Sequence, residues 1–129
     1  MDQPAGLRAA AQMVASELLE NAIKYGEAVP AAPQINFVFR SDERRMTIIV
    51  SNGLHSELNY ERLRSHVEAL AAAEDPAAVY VARLQELMDN PTQESAGLGI
   101  YRIGLEGGFA LECRYQDRVV SVTATRSIS

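Results

Sequence analysis

The chain has 129 residues and is 47% hydrophobic, which is enough for one domain, 1–129, with a sizeable core. Its net charge of −5 argues against a nucleic-acid partner, because gripping phosphates requires a basic face. No stretch approaches the roughly 20 apolar residues of a membrane span, and no secretion signal is recognisable. Cys113 is the only cysteine, so no internal disulfide can form, and we expect a cytoplasmic protein with no membrane partner.

The first predicted element is a helix from about Gly6 to Tyr25. It contains strong helix formers almost throughout, and Gly26 follows as a residue suited to a C-terminal cap. One face carries the apolar residues Val14, Leu18, Ala22 and Tyr25. This stripe is typical of a helix that packs on a core.

A second stripe of the same helix is polar. Glu17, Asn21 and Lys24 are spaced i, i+4 and i+7, so they share a face beside the apolar stripe. They offer a carboxylate, an amide oxygen and an ammonium group in one line. By spacing alone, this pattern is more typical of an ordinary surface helix with polar residues at its rim.

A hairpin follows in residues 34–50. Residues 34–40 alternate with the period of a strand, 41–45 form a polar turn, and 46–50 are rich in β-branched residues. The triplet Ser51–Asn52–Gly53 is predicted to break the second strand.

Two helices are predicted between residues 56 and 89. Asp75 followed by Pro76 is typical of an N-cap with proline at the first helical position, so it separates them. The apolar residues at helical spacing are Leu63, Val67, Leu70 and Ala71, then Val79, Ala82, Leu84, Leu87 and Met88. His66 lies mid-helix without paired ligand spacing and is interpreted as an ordinary, partly exposed histidine.

The last third of the chain predicts a short helix and a second hairpin. The helix covers Leu98–Glu106, and the strands cover residues 109–115 and 119–125 around a turn at 116–118. Two hairpins with a layer of helices predict an α/β (α+β) two-layer sandwich, with helices on one face of a mostly antiparallel sheet. An exposed edge of such a sheet would support a homodimer, although no residue specifies one.

Gly97 and Gly99 stand directly before or at the start of that short helix. Glycine lets the backbone approach a ligand closely, and the N–H groups of a helix N-terminus favour phosphate. Taken alone, this spacing is a weak indication, because glycines also serve ordinary turns.

Two segments resemble one known family. Glu-Leu-Leu-Glu-Asn-Ala-Ile-Lys-Tyr, residues 17–25, closely resembles the N box of the GHKL ATPase superfamily, which includes histidine kinases and anti-sigma-factor serine kinases. Ser-Ala-Gly-Leu-Gly-Ile, residues 95–100, with the elements after it, resembles the family's G2 box and C-terminal end. The resemblance covers residues 8–126 and implies a histidine-kinase-like ATPase fold.

The resemblance implies roles for individual residues. Glu17 would polarise the attacking water or hydroxyl, Asn21 would ligate the Mg²⁺ that bridges the ATP phosphates, and Lys24 would reach toward those phosphates. Tyr25 would pack near the nucleotide. The residues of the G2 box, Gly97, Leu98, Gly99 and Ile100, would bind the nucleotide through backbone groups.

The chain departs from the family at the G1 box, which carries Asp-x-Gly-x-Gly. The segment from Ser51 through Asn52 and Gly53 to His55 stands there, with Ser51 in place of the aspartate that accepts the adenine amino group. A neutral hydrogen bond in place of a charge-assisted one would weaken binding about tenfold or more. The family has a glycine where this chain has His55, so the bulky His55 ring would lie where the family leaves space beside the backbone. Helices in residues 56–89 also replace a flexible lid, which leaves only residues 90–96 for that role.

The main functional hypothesis is a bacterial signal-transduction regulator that binds ATP and Mg²⁺ and phosphorylates or sequesters a small partner protein, as in partner switching. The alternatives are a degenerate module that binds protein but no nucleotide, a fragment of a sensor kinase, and an unrelated domain with chance motifs.

Overall fold

The computed structural model describes residues 4–89, 98–105 and 108–128. Helices and strands occur in the order α1, β1, β2, α2, α3, α4, β3, β4. The helices are α1 (Pro4–Tyr25), α2 (Glu57–Ala72), α3 (Pro76–Asp89) and α4 (Leu98–Leu105). The strands are β1 (Asn36–Ser41), β2 (Arg45–Gly53), β3 (Ala110–Gln116) and β4 (Val119–Ser127).

The strands form one antiparallel sheet in the order β1-β2-β4-β3. The central pair, β2 and β4, stays in register from Arg45 opposite Ser127 to Gly53 opposite Val119. Asp117 and Arg118 join β3 to β4 with φ of 54° and 63°, the left-handed backbone of a tight two-residue hairpin. The predicted α/β sandwich with an antiparallel sheet is confirmed.

The core lies between the helices and one face of the sheet. Along β2, Met46, Ile48 and Val50 are buried, whereas the residues between them point to the other face and are partly exposed. From α1 the buried residues are Ala10, Val14, Leu18 and Ala22. Their spacing of four confirms the predicted apolar stripe, which ends at a partly exposed Tyr25.

The boundary between α2 and α3 lies where the sequence predicts it. The Asp75 carboxylate accepts a 3.1 Å hydrogen bond from the Ala77 backbone N–H and so caps α3, which begins at Pro76. Val67 and Leu70 are buried as expected. Other predicted apolar positions are not: Ala71 and Ala82 are exposed, and Met88 is 73% exposed.

The predicted break at Ser51–Asn52–Gly53 is wrong, because β2 continues to Gly53. Ser51, Asn52 and Gly53 pair with Ser121, Val120 and Val119 of β4. Local turn preference is outweighed here by a long-range ladder, which pairs the backbone groups of residues that would otherwise favour a turn. In the described parts of the chain, no helix is both long and apolar enough to cross a bilayer.

Candidate functional site

A cavity of about 570 Å³ lies between α1, the sheet and the helices that follow it. Its volume falls within the range of roughly 300–1,000 Å³ that is usual for small-molecule sites. Apolar residues of the lining include Leu18, Ala22, Val50, Leu54, Ile100 and Val122. Polar residues of the lining include Asn21, Tyr25, Asn52, Asn59, His66 and Arg83. Apolar walls with a few convergent polar groups are typical of a ligand site.

The three residues of the polar stripe on α1 lie in different surroundings. Asn21 lines the cavity, whereas Glu17 binds α4, where Nη1 of Arg102 donates to its Oε1 across 2.9 Å. Lys24 is exposed, and its Nζ lies 5.2 Å from the centre of the Tyr25 ring. Of the three residues in the stripe, the structure therefore brings only Asn21 to the cavity wall.

Ser51 and Asn52 point to opposite faces of β2. The Ser51 hydroxyl lies 2.8 Å from that of Ser121, on the sheet face away from the helices. Asn52 is 8% exposed, lines the cavity, and directs its amide nitrogen to the Gly53 carbonyl at 2.8 Å. The polar side chain that β2 presents to the cavity is thus Asn52 and not Ser51.

Position 53 requires glycine because two backbone segments approach each other closely there. The Glu27 N–H donates to the Gly53 carbonyl at 2.8 Å, and a Cβ on Gly53 would lie 2.1 Å from the Glu27 carbonyl oxygen. Only glycine permits this contact, which fastens the segment after α1 to the end of β2. His55 is exposed, and its backbone N–H donates to the Glu27 carboxylate at 3.0 Å. Neither Gly53 nor His55 lines the cavity.

Tyr25 also lines the cavity, at the end of α1. Its hydroxyl oxygen is buried and has no hydrogen-bond partner among the described residues. A buried hydroxyl without a partner costs roughly 1–3 kcal/mol, so such a group in a cavity wall favours a ligand or solvent that completes it.

α4 lies against α1 and places Ile100, the last residue of the G2-like segment, in the cavity wall. Ile100 is fully buried and lines the same cavity as Asn21. Leu98 and Gly99 form the first turn of α4. Gly97 and the predicted lid at residues 90–96 lie outside the described residues.

Sequence reasoning missed Arg83 of α3, which is only 8% exposed and lines the cavity. Its Nη1 binds the Glu86 carboxylate at 3.1 Å, and Glu86 is itself largely exposed. A signal was present, because Arg83 lies four residues after Val79 and four before Leu87, on the predicted apolar stripe.

His66 of α2 was interpreted as an ordinary, partly exposed residue, and it is indeed half-buried. It nevertheless lines the cavity, with Nδ1 2.9 Å from the Tyr101 hydroxyl. Burial, followed by the nearby positive charge of Arg83, lowers the pKa of His66. Burial raises the pKa of Tyr101. The neutral forms of both side chains are therefore favoured.

In the described segments, no group of three or more His, Cys, Asp or Glu residues is placed to hold a metal ion. The chain as a whole matches no protein-family model and none of the curated proteins with which it was compared.

Proposed function

We propose that this chain is a signalling domain of the histidine-kinase-like GHKL type. It binds ATP with Mg²⁺ in the cavity and phosphorylates or sequesters a small partner protein. The observation that carries the proposal is the meeting of Asn21 and Tyr25 from α1 with Asn52 from β2 and Ile100 from α4 around one cavity. These residues belong to the three segments that the family resemblance singles out.

The adenine base would lie against the apolar wall near Val50 and Ile100. Asn52 supplies the polar contact there, because a carboxamide carries both a donor and an acceptor and can match the amino group and a ring nitrogen of adenine. It would take the place of the family's aspartate. Tyr25 would give the ligand its hydroxyl, which has no partner among the described residues.

The phosphates would lie toward Asn21 and the cationic side of the cavity. Arg62 and the buried Arg83 both line it, and a guanidinium close to a phosphate gives a charge-assisted hydrogen bond. A Mg²⁺ ion held here would supply positive charge that neutralises the phosphates. The carboxamide oxygen of Asn21 would be its protein ligand, with phosphates and water completing the set.

A protein-binding module without nucleotide is the second candidate. The observation that favours it is the position of Glu17, whose carboxylate is engaged by Arg102, together with the outward position of Lys24. Two residues that the resemblance assigns to phosphoryl transfer are therefore not in the cavity wall. This candidate would use the helices in residues 56–89 or the open face of the sheet.

Calorimetric titration with Mg–ATP tests the proposal and separates the two candidates. We expect saturable binding to the wild type, at least tenfold weaker binding to Asn52→Ala, and affinity within twofold of wild type for Ser51→Ala. Ser51 is the matched control because it is the adjacent residue on the opposite face of β2. Circular dichroism would establish that both variants are folded.

No heat at millimolar nucleotide with the folded wild type would overturn the proposal in favour of the protein-binding module. Equal weakening by Ser51→Ala and Asn52→Ala would instead overturn the placement of adenine against Asn52.

A further inference from the structure

β1 is an open edge of the sheet, and it carries exposed apolar side chains. Among the described strands it pairs only with β2, so one row of its backbone groups has no described strand beside it. Phe37 and Phe39 lie opposite the buried Val50 and Ile48, on the helix side of the sheet, yet they remain 43% and 49% exposed. Val38, on the other face, is 37% exposed.

The apolar surface extends from β1 to the end of α1. Ile23 of α1 is 71% exposed and Ile35 is 39% exposed, and both border the same small cavity beside β1. Exposed apolar residues that occur singly are ordinary, but a contiguous group on a sheet edge is typical of an interaction surface.

The two edges of the sheet differ in protection. β3 is packed under α2 and carries Glu112 and Arg114 on its exposed face. β1 contains no proline, keeps an unbroken register with β2, and has Arg40 as its one charged residue. Charges, prolines and bulges are the usual means of blocking strand addition. β1 has only the single charge of Arg40, and no described helix covers it as α2 covers β3.

We propose that β1 pairs antiparallel with β1 of a second copy of this chain, about a two-fold axis at Val38. The pairing joins two four-stranded sheets into one sheet of eight strands, with both helix layers on the same side. This interface lies outside the cavity, and none of the residues of β1 lines it.

The sequence of β1 is self-complementary in this register. Val38 meets its own copy, and Phe37 meets Phe39 of the other chain twice, on the helix side of the sheet. Aromatic pairs directly across antiparallel strands are among the more favourable cross-strand contacts. Outside them Arg40 faces Asn36, so no like charges are opposed. An unrelated extended peptide would have to supply this apolar pattern itself.

The exposed phenylalanines supply part of the area that a second copy would bury. At about 200 Å² for each phenylalanine, the exposed parts of Phe37 and Phe39 in two chains amount to roughly 350 Å². Stable interfaces bury at least about 1,200 Å² in total. Ile23, Ile35, Val38 and the backbone of the paired strands supply further area from both copies.

Sedimentation equilibrium of the full chain tests the proposal. We expect a concentration-dependent dimer for the wild type and at least a tenfold larger dissociation constant for Phe39→Glu, which places a charge among the aromatic pairs. Leu58→Glu is the matched control, because Leu58 is 62% exposed on α2, remote from the edge in the sheet order. It should dimerise as the wild type does.

A wild type that stays monomeric at several hundred micromolar would overturn the proposal, and so would a dimer that Phe39→Glu leaves intact. A cysteine scan in a Cys113→Ala background tests the register. Val38→Cys should form a disulfide-linked dimer on mild oxidation, because facing Cα atoms are about 4.5–5.5 Å apart. Ser41→Cys should not, because its two copies would be about 20 Å apart. The reverse result would overturn the two-fold axis at Val38.

Discussion

Glu17 and Arg102 connect the first helix to the fourth through a 2.9 Å hydrogen-bonded ion pair, although 85 positions separate them in the chain. The Glu17 side chain is 16% exposed and that of Arg102 is 40% exposed. The pair holds α4 beside α1, and with it the cavity wall that Ile100 forms. It also engages the carboxylate to which the family resemblance assigns a role in phosphate transfer.

Glu17→Ala should lower the rate of phosphate transfer at least about 100-fold, because a general base is lost. The affinity for ATP should change little. The substitution should also lower the free energy of unfolding by about 0.5–1 kcal/mol, since the lost ion pair is partly exposed. Transfer assays, calorimetry and urea denaturation measure the three quantities. Glu20→Ala, an exposed neighbour on α1, is the control. Retained transfer in the Glu17 variant would remove Glu17 from this role.

Asn21→Ala should weaken Mg²⁺-dependent nucleotide binding by about tenfold, because the cation loses its protein oxygen ligand. Binding of ATP in excess chelator should be similar for the variant and the wild type. Asn36→Ala, which removes an exposed carboxamide from β1, is the control. Equal wild-type affinities with and without Mg²⁺ would refute the role of Asn21.

Tyr25→Phe should leave stability within about 0.5 kcal/mol of wild type or raise it, because the deleted hydroxyl has no described partner. Nucleotide affinity should fall about three- to tenfold, which corresponds to one neutral hydrogen bond. Urea denaturation and calorimetry on the same preparation measure both effects. A clear loss of stability with unchanged affinity would show that the hydroxyl serves the fold and not a ligand.

Acid should destabilise the protein through His66. Its pKa in the folded state lies below the ordinary value of 6.5, mainly because of burial and secondarily because of Arg83, while Glu86 opposes the shift. The unfolded chain therefore binds a proton first as the pH falls. The stabilisation is complete above about pH 6.5 and is lost as the pH falls through the folded-state pKa.

Urea denaturation between pH 7.5 and 5 measures this dependence. His66→Gln should reduce the slope of stability against pH below 6.5. Leu58→Gln should leave the slope unchanged, because it replaces an exposed side chain that takes up no proton. Identical slopes in all three proteins would contradict the assignment to His66.

Gly53→Ala should lower stability by about 1–3 kcal/mol, because the added methyl group collides with the Glu27 carbonyl 2.1 Å away and the backbones must separate. Gly6→Ala is the matched control, since nothing lies within 4 Å of a Cβ there and alanine favours the helix by up to about 1 kcal/mol. Thermal unfolding of both variants measures the difference. An unchanged stability of Gly53→Ala would show that the backbones of β2 and Glu27 can separate at little energetic cost.

Much of the secondary structure followed from local signals. The apolar stripe of α1, the Asp75–Pro76 boundary between α2 and α3, and the alternation in the second hairpin are set by neighbours in the chain. Caps and periodicity act within a few residues, so they can be read without the fold. The α/β sandwich followed from the order of these elements.

The candidate site depended on contacts between distant residues. The pairing of β2 with β4 extends the strand past Ser51 and thereby turns Asn52, rather than Ser51, toward the cavity. His66 and Arg83 join the same wall only because their helices pack together. Local propensity carries no information about such partners, since they are brought together by burial of the common core.

The sequence by itself determined the helices, the hairpins and a polar stripe on α1. Tertiary structure decided which of these polar groups share a cavity, because side-chain direction on a strand is set by the face that the helices cover. It also left Phe37 and Phe39 exposed, since no described helix covers β1 in spite of its strand-like period.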